Sequence, residues 1–401
     1  MKIRIPLLTT SVLSLLAFYS CDDDNDIVDP IMVEAPATYS FTRNNSSTVN
    51  FSGQTTRIEM SEATAQAFLN TSFTEAEIDG KFAHTQGSND FDDPELNQSD
   101  KSVRSKVAAS IDFFGSNSTA SAAIKSDFDS FISRQVNEVF PAWNNTASKG
   151  VPGNLQQAGG GAVRYINGDG LEYNQAFAKS LIGGLMTDQM LNNYLSPLVL
   201  DEADNRLEND QKILAAGKNY TTMEHKWDEA YGYLYGAEST PATPVLNQDS
   251  FLNKYVASVE ADADFTGIAA NIYNAFKLGR AAIVAGDYEL RDQQAQIIRE
   301  NVSKVIGVRA VYYLQSGKAK LSSDKASAFH GLSEGYGFIY SLQFTREPNT
   351  NQPYFSRNEV QSMLDQLTAG DGFWDVSPAT LDQLSDQISA RFSFTTAQAA
   401  N

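Results

Sequence analysis

The chain has 401 residues, 42% of them hydrophobic and 11% aromatic, which is enough to bury a large core as one large or two medium domains. Its 30 Lys and Arg face 49 Asp and Glu, a net charge of −19, which repels phosphate backbones and anionic membrane surfaces and argues against nucleic-acid binding. A single cysteine excludes an internal disulfide or a thiolate metal cluster.

The N-terminus "MKIRIPLLTTSVLSLLAFYSC" places Lys2 and Arg4 before an apolar run from Ile5 to Tyr19, with Ser20 ahead of Cys21. This layout predicts an export signal over residues 1–20, too short and wrongly flanked for a stable membrane span. A cysteine at the cleavage point resembles a bacterial lipoprotein signal, so Cys21 is the expected lipidation site. Without residues 1–20 the balance is 28 basic against 49 acidic residues, or −21. The "DDDND" that follows Cys21 resembles the acidic tract of surface-displayed lipoproteins of Bacteroidota. Residues 21–38, acidic and interrupted by Pro30 and Pro36, read as a tether. The expected location is therefore the outer membrane, held by lipid and exposed at the surface, with the periplasmic face as the alternative.

Residues 39–60 carry "YSFTR", "STVNFSG" and "TTRIEM", broken by "NNSS" and "GQ", and predict a small β-hairpin or meander. From Ser61, taken as a helix cap, to residue 401 apolar residues recur at three- and four-residue spacing, so the fold class is mainly α. The glycine-rich stretch Val151–Gln175 interrupts it as a loop with a short hairpin. Three consecutive glycines there lack a GK[ST] ending and do not make a phosphate loop. Two amphipathic helices are expected in the tail, the second capped by Ser377.

The sharpest motif is "HKWDEAYGYLYG" at 225–236, which recurs 105 residues later as "HGLSEGYGFIYS". His225, Glu229, Tyr231, Gly232 and Tyr235 correspond to His330, Glu334, Tyr336, Gly337 and Tyr340. Internal repetition predicts related halves around 174–236 and 291–341. At 100° per residue, His225, Glu229, Gly232 and Gly236 share one stripe of a helix, as do His330, Glu334, Gly337 and Ser341. Trp227, Tyr231 and Leu234 lie roughly opposite and read as core. Glycine on a solvated stripe would cost each helix about 1 kcal/mol relative to alanine. Its presence at one offset in both copies therefore predicts a close approach by another helix or a ligand.

Two readings of the polar stripes stay open. In one, they converge and His225, Glu229, His330 and Glu334, with Asp228 as a fifth ligand or an orienting partner, hold a divalent metal such as iron or zinc. In the other, each His and Glu merely satisfies polar groups inside a helical core. His84 has no counterpart and is expected at the surface near a helix end.

The lipoprotein signal, the duplicated helical body and the "HKWDEAYGYLYG" helix resemble the imelysin-like lipoproteins of Bacteroidota, particularly a subfamily described as a domain of unknown function. The resemblance implies paired helical bundles, and a role in iron uptake or as a metallopeptidase. The imelysin signature G-x-H-x-x-E is altered here: Met223 replaces its glycine and Asp228 stands at its glutamate position. No H-E-x-x-H, G-x-S-x-G or Walker loop is present. The expected function is a cell-envelope lipoprotein that captures a metal ion or metal-containing ligand and hands it to an envelope uptake partner. A metallopeptidase of imelysin type and a structural or adhesion module without a metal are the alternatives.

Overall fold

The computed structural model describes residues 32–401. The export signal, Cys21 and most of the acidic tether lie outside the described residues. The described chain is mainly α, 59% helical with 17 α-helices, and its only strands are two small antiparallel hairpins, each of two strands. No described helix is long and apolar enough to cross a membrane.

The axis of the body is the 33-residue helix Tyr288–Lys320, which is apolar on more than one face and is buried accordingly. Helices Ile268–Ala285, Lys325–Ser341 and Pro378–Arg391 pack along it. Gly286, with φ +80°, ends the helix before it in the left-handed conformation that a C-terminal cap favours. Gly279 makes room for the Trp227 ring, whose indole N–H donates to the Phe276 carbonyl at 3.0 Å. The expected tail helices are Arg357–Leu367 and Pro378–Arg391, and the Ser377 side chain caps the second by accepting from the Thr380 amide.

The β segment expected over residues 39–60 is shorter than its composition suggested. Thr42–Arg43 pairs with Ser46–Ser47, but a helix already begins at Ser52 and runs to Ala67. Ser61 therefore lies inside a helix rather than capping one, and its hydroxyl donates to the Arg57 carbonyl at 2.6 Å. The burial of Gln54, Arg57, Ile58 and Ser61 at helical spacing explains the difference. Tertiary contact overrides the β-branched composition of "TTRIEM". In the glycine-rich stretch Gly153–Gln156 pairs with Val163–Ile166, and the three consecutive glycines fall in the turn between them.

Candidate functional site: a groove held by the repeat helix

The helix Thr222–Tyr235 begins with a reciprocal cap between Thr221 and Glu224. Glu224 also receives both terminal nitrogens of Arg43, at 3.0 and 2.9 Å, and lies 3.2 Å from Arg280 Nη1. One turn on, Asp228 Oδ1 accepts from the Tyr39 hydroxyl at 2.7 Å and from Arg280 Nε at 3.0 Å, while its Oδ2 accepts from the Asn50 amide at 3.2 Å. Asp228 and Arg280 are wholly buried. Burial pushes the Asp228 carboxyl up against the pull of Arg280 and the Tyr39 hydroxyl. Glu224 is also pushed up by burial, but Arg280, Arg43 and the Thr221 amide outweigh this and hold it below its ordinary value.

His225 belongs to the same device. Its Nδ1 lies 3.0 Å from the Asn50 carbonyl, so that nitrogen carries the proton and donates, and its ring stacks on Tyr220 with centroids 4.6 Å apart. Two turns along the helix, a side chain at Gly232 would collide with Phe51 and come within 3.0 Å of Gln54 Cβ. The Tyr231 ring lies on Tyr39, and its hydroxyl donates to the Pro241 carbonyl. The motif helix thus clamps residues 39–51 by charge, hydrogen bond, ring stacking and close backbone approach together.

The clamped segment forms one wall of a groove of about 700 Å³, whose other walls are the helix Ser52–Ala67 and the Pro241–Ala242 turn. Half-buried Phe41 and Phe51 supply rings and Glu59 and Glu95 supply carboxylates, while the Tyr39 ring is buried on Tyr231 behind them. Among the described residues neither carboxylate joins an ion pair. Partial burial pushes Glu59 up, and repulsion from Asp93 and Glu95 adds to the shift.

The second copy grips its partner in the same way. His330 Nδ1 lies 3.1 Å from Glu172 Oε1, and the Ser333 hydroxyl, in the position of Asp228, accepts from the Glu172 amide at 2.9 Å. Asn50 and Glu172 each stand just ahead of a helix, Ser52–Ala67 in one case and Tyr173–Leu181 in the other. A side chain at Gly337 would strike Lys179 and Ser180, much as one at Gly232 would strike Phe51. The glycine stripe is therefore where an earlier helix docks, and its N-terminus is held by the histidine and the residue three places after it.

His330 and Glu334 are brought together, with Nε2 and Oε2 3.6 Å apart. Glu334 also meets the Tyr255 hydroxyl at 3.2 Å and Lys179 Nζ at 3.6 Å. Burial raises the Glu334 carboxyl, but Lys179, His330 and Arg309 together hold it below its ordinary value. In the first copy His225 turns to Asn50, whereas Glu229 accepts from Gln54 Nε2 at 3.1 Å. No hydrogen bond or ion pair among the described residues joins the His225 set to the His330 set.

These positions do not fit the shared metal. Asp228 is neutralised by Arg280, the two carboxylates at His330 approach opposite ring nitrogens, and the positive charge beside Glu334 is already supplied by Lys179. Among the described residues no group of three or more His, Cys, Asp or Glu side chains is placed to hold a metal ion. His84 differs from its expected setting as well: it follows the helix Glu75–Phe82 but is only 5% exposed and contacts Asp90 at 2.5 Å.

Tyr39, Asn50, Glu172, Lys179 and Arg280 were not singled out by their sequence context. Arg280 and Lys179 carried a signal, since a cation inside an apolar run, "AFKLGRAAIVA" or "AFAKSLIGGLM", requires a buried counter-charge. The clamp, the groove and the docked helices all lie within residues 36–395, the stretch that matches the family described as "Domain of unknown function (DUF4856)". The chain belongs to this family. Neither curated proteins nor solved structures yield a match to it. In this DUF4856 chain each repeated histidine lies within hydrogen-bonding distance of the residue that stands ahead of a docked helix.

Proposed function

We propose that the chain is a lipid-anchored capture protein of the cell envelope, which binds a positively charged ligand in the groove between residues 39–51 and the helix Ser52–Ala67. The observation that carries this reading is the pairing of aromatic rings with two carboxylates that lack a cationic partner along one groove. Aromatic faces and carboxylates together attract cations more strongly than either does alone. The metal-containing ligand expected from the imelysin-like resemblance enters here as a cationic complex held by its outer charge. His225 and Asp228 act as positioning residues for the groove wall, and the anchor at Cys21 sets the compartment.

Calorimetric titration of the purified protein with spermidine and with hexaamminecobalt(III) separates an organic from a metal-bearing cation. Binding of at least one, weakened about tenfold or more by a Glu59→Gln, Glu95→Gln double substitution, is expected. Absence of binding by both, or affinity indifferent to the double substitution, overturns the proposal. Chelator-sensitive cleavage of a protein substrate would replace it with the metallopeptidase reading. Cys21→Ser is expected to release the protein from the membrane fraction, and retention would remove the anchor.

A further inference from the structure

Away from the groove, Arg309 occupies an unusual position on the long helix Tyr288–Lys320. It is only 8% exposed, yet its Nε has no hydrogen-bond partner. Among the described residues no carboxylate lies within ion-pair distance of it. Its guanidinium rests over the Tyr312 ring at 3.9 Å and near those of Tyr313 and Tyr255 at 4.6 and 5.5 Å. Ring faces stabilise a cation but accept no N–H hydrogen bond of ordinary strength, so a buried guanidinium that rests on rings and feels Glu334 only through space keeps donors to spare. Leaving such donors unmet is costly.

Arg309 and Tyr312 line a surface depression of about 440 Å³, together with Ser258, Asp262, Asp264 and Asn401. The two aspartates sit on the turn that follows the helix Leu252–Glu260. Asp262 Oδ1 accepts from the Asp264 amide at 3.0 Å, and Asp264 Oδ1 accepts from Gln398 Nε2 at 3.3 Å. The second oxygen of each makes no hydrogen bond among the described residues. Among the lining side chains, a single cation at the floor with two carboxylates at the rim disfavours a phosphate dianion and suits a ligand that carries one negative and one positive group.

We infer that this depression is a second binding site, for a zwitterion of amino-acid size, in which Arg309 receives the carboxylate and Asp262 with Asp264 receive the ammonium. Guanidinium recognises carboxylate through paired N–H donors, which gives orientation as well as attraction. The Tyr312 ring beside it offers an apolar face to the ligand's side chain. The site shares no residue with the groove, so its fate does not depend on that of the cation-binding proposal.

The test is calorimetric titration of the purified protein with free L-alanine, and with acetate and methylammonium as its separate halves. L-alanine is expected to bind, and each half to bind at least about tenfold more weakly. Arg309→Gln is expected to abolish L-alanine binding. The rim substitutions Asp262→Asn and Asp264→Asn together, at exposed and half-buried positions that do not threaten folding, are expected to weaken L-alanine and strengthen acetate. Glu59→Gln, Glu95→Gln should leave L-alanine unaffected. Failure of L-alanine to bind at about 10 mM, or equal affinity for wild type and the rim variant, overturns the inference.

Discussion

The Tyr39 ring lies flat on Tyr231, with centroids 3.6 Å apart and planes within 6°, while its hydroxyl reaches past the stack to Asp228 at 2.7 Å. One side chain thereby joins the segment at the start of the family's domain to the motif helix by both faces of its chemistry. Tyr39→Phe keeps the stack and removes the donor to a buried carboxylate, so a loss of about 1 to 3 kcal/mol is expected. Urea unfolding measures it. Amide hydrogen exchange should rise over residues 39–50 more than elsewhere, and a uniform rise would mean that the segment is not held locally.

Asp228 and Arg280 are a fully buried pair, and the consequence of breaking it depends on which charge is left behind. Asp228→Ala leaves the buried guanidinium with Glu224 and the Thr48 hydroxyl as its remaining polar partners and takes away the acceptor for Tyr39, so it should cost about 1 to 3 kcal/mol. Adding Arg280→Met removes the guanidinium as well and should recover part of that loss. If the losses of the two single variants simply add in the double variant, or exceed their sum, the pair is not coupled as the geometry indicates.

Gly232 and Gly337 make opposite predictions according to whether their stripe faces water or a helix. In a solvated helix, glycine to alanine stabilises by about 1 kcal/mol. Here a methyl group at Gly232 collides with Phe51 and one at Gly337 with Lys179, so both substitutions should destabilise, by about 1 to 3 kcal/mol. A gain in melting temperature for either would show that the docked helix can retreat at little cost.

The glycine positions also mark how far the sequence could be read. Equal offsets from histidine to glycine were enough to predict that something approaches both helices closely, because glycine is costly in a helix without a reason. Spacing could not reveal what approaches. Asn50 is 175 residues from His225 and Glu172 is 158 from His330. Nothing local in either stretch announces those partners. Duplicated polar residues invite the idea of one shared centre, yet repetition guarantees only that each copy finds an equivalent environment. Here each copy caps its own docked helix. The helical body was legible from periodicity alone, whereas "TTRIEM" was misread because its burial against other segments, not its β-branched residues, decided its conformation.

Two buried carboxyls lend the protein a pH dependence that its acidic surface does not explain. Burial pushes Asp188 up to about 7, although donors from Ser110, the Ala109 amide and Asn192 resist the shift. Asp249 is likewise pushed up to about 7, by burial and by Glu62 and Glu238, and its Oδ2 has no hydrogen-bond partner. An acid whose folded value exceeds its unfolded one binds its proton more tightly in the folded chain. Its contribution to stability is therefore present at low pH and is lost as the pH rises from about 4 to about 7. Glu224 and Glu334, shifted downward, act in the opposite sense, but only below the ordinary carboxylate range. Between pH 5 and pH 8 Asp188 and Asp249 should each remove about 2 to 3 kcal/mol, and Asp79, which burial and Asp129 push up to about 6, and Asp228, pushed up by burial, act in the same sense. Urea midpoints are expected to fall across that window in the wild type. Asp188→Asn, which keeps an acceptor for the Ser110 amide but cannot ionise, should make the slope shallower. A midpoint that climbs from pH 5 to pH 8 would show that both carboxyls are already ionised in the folded chain.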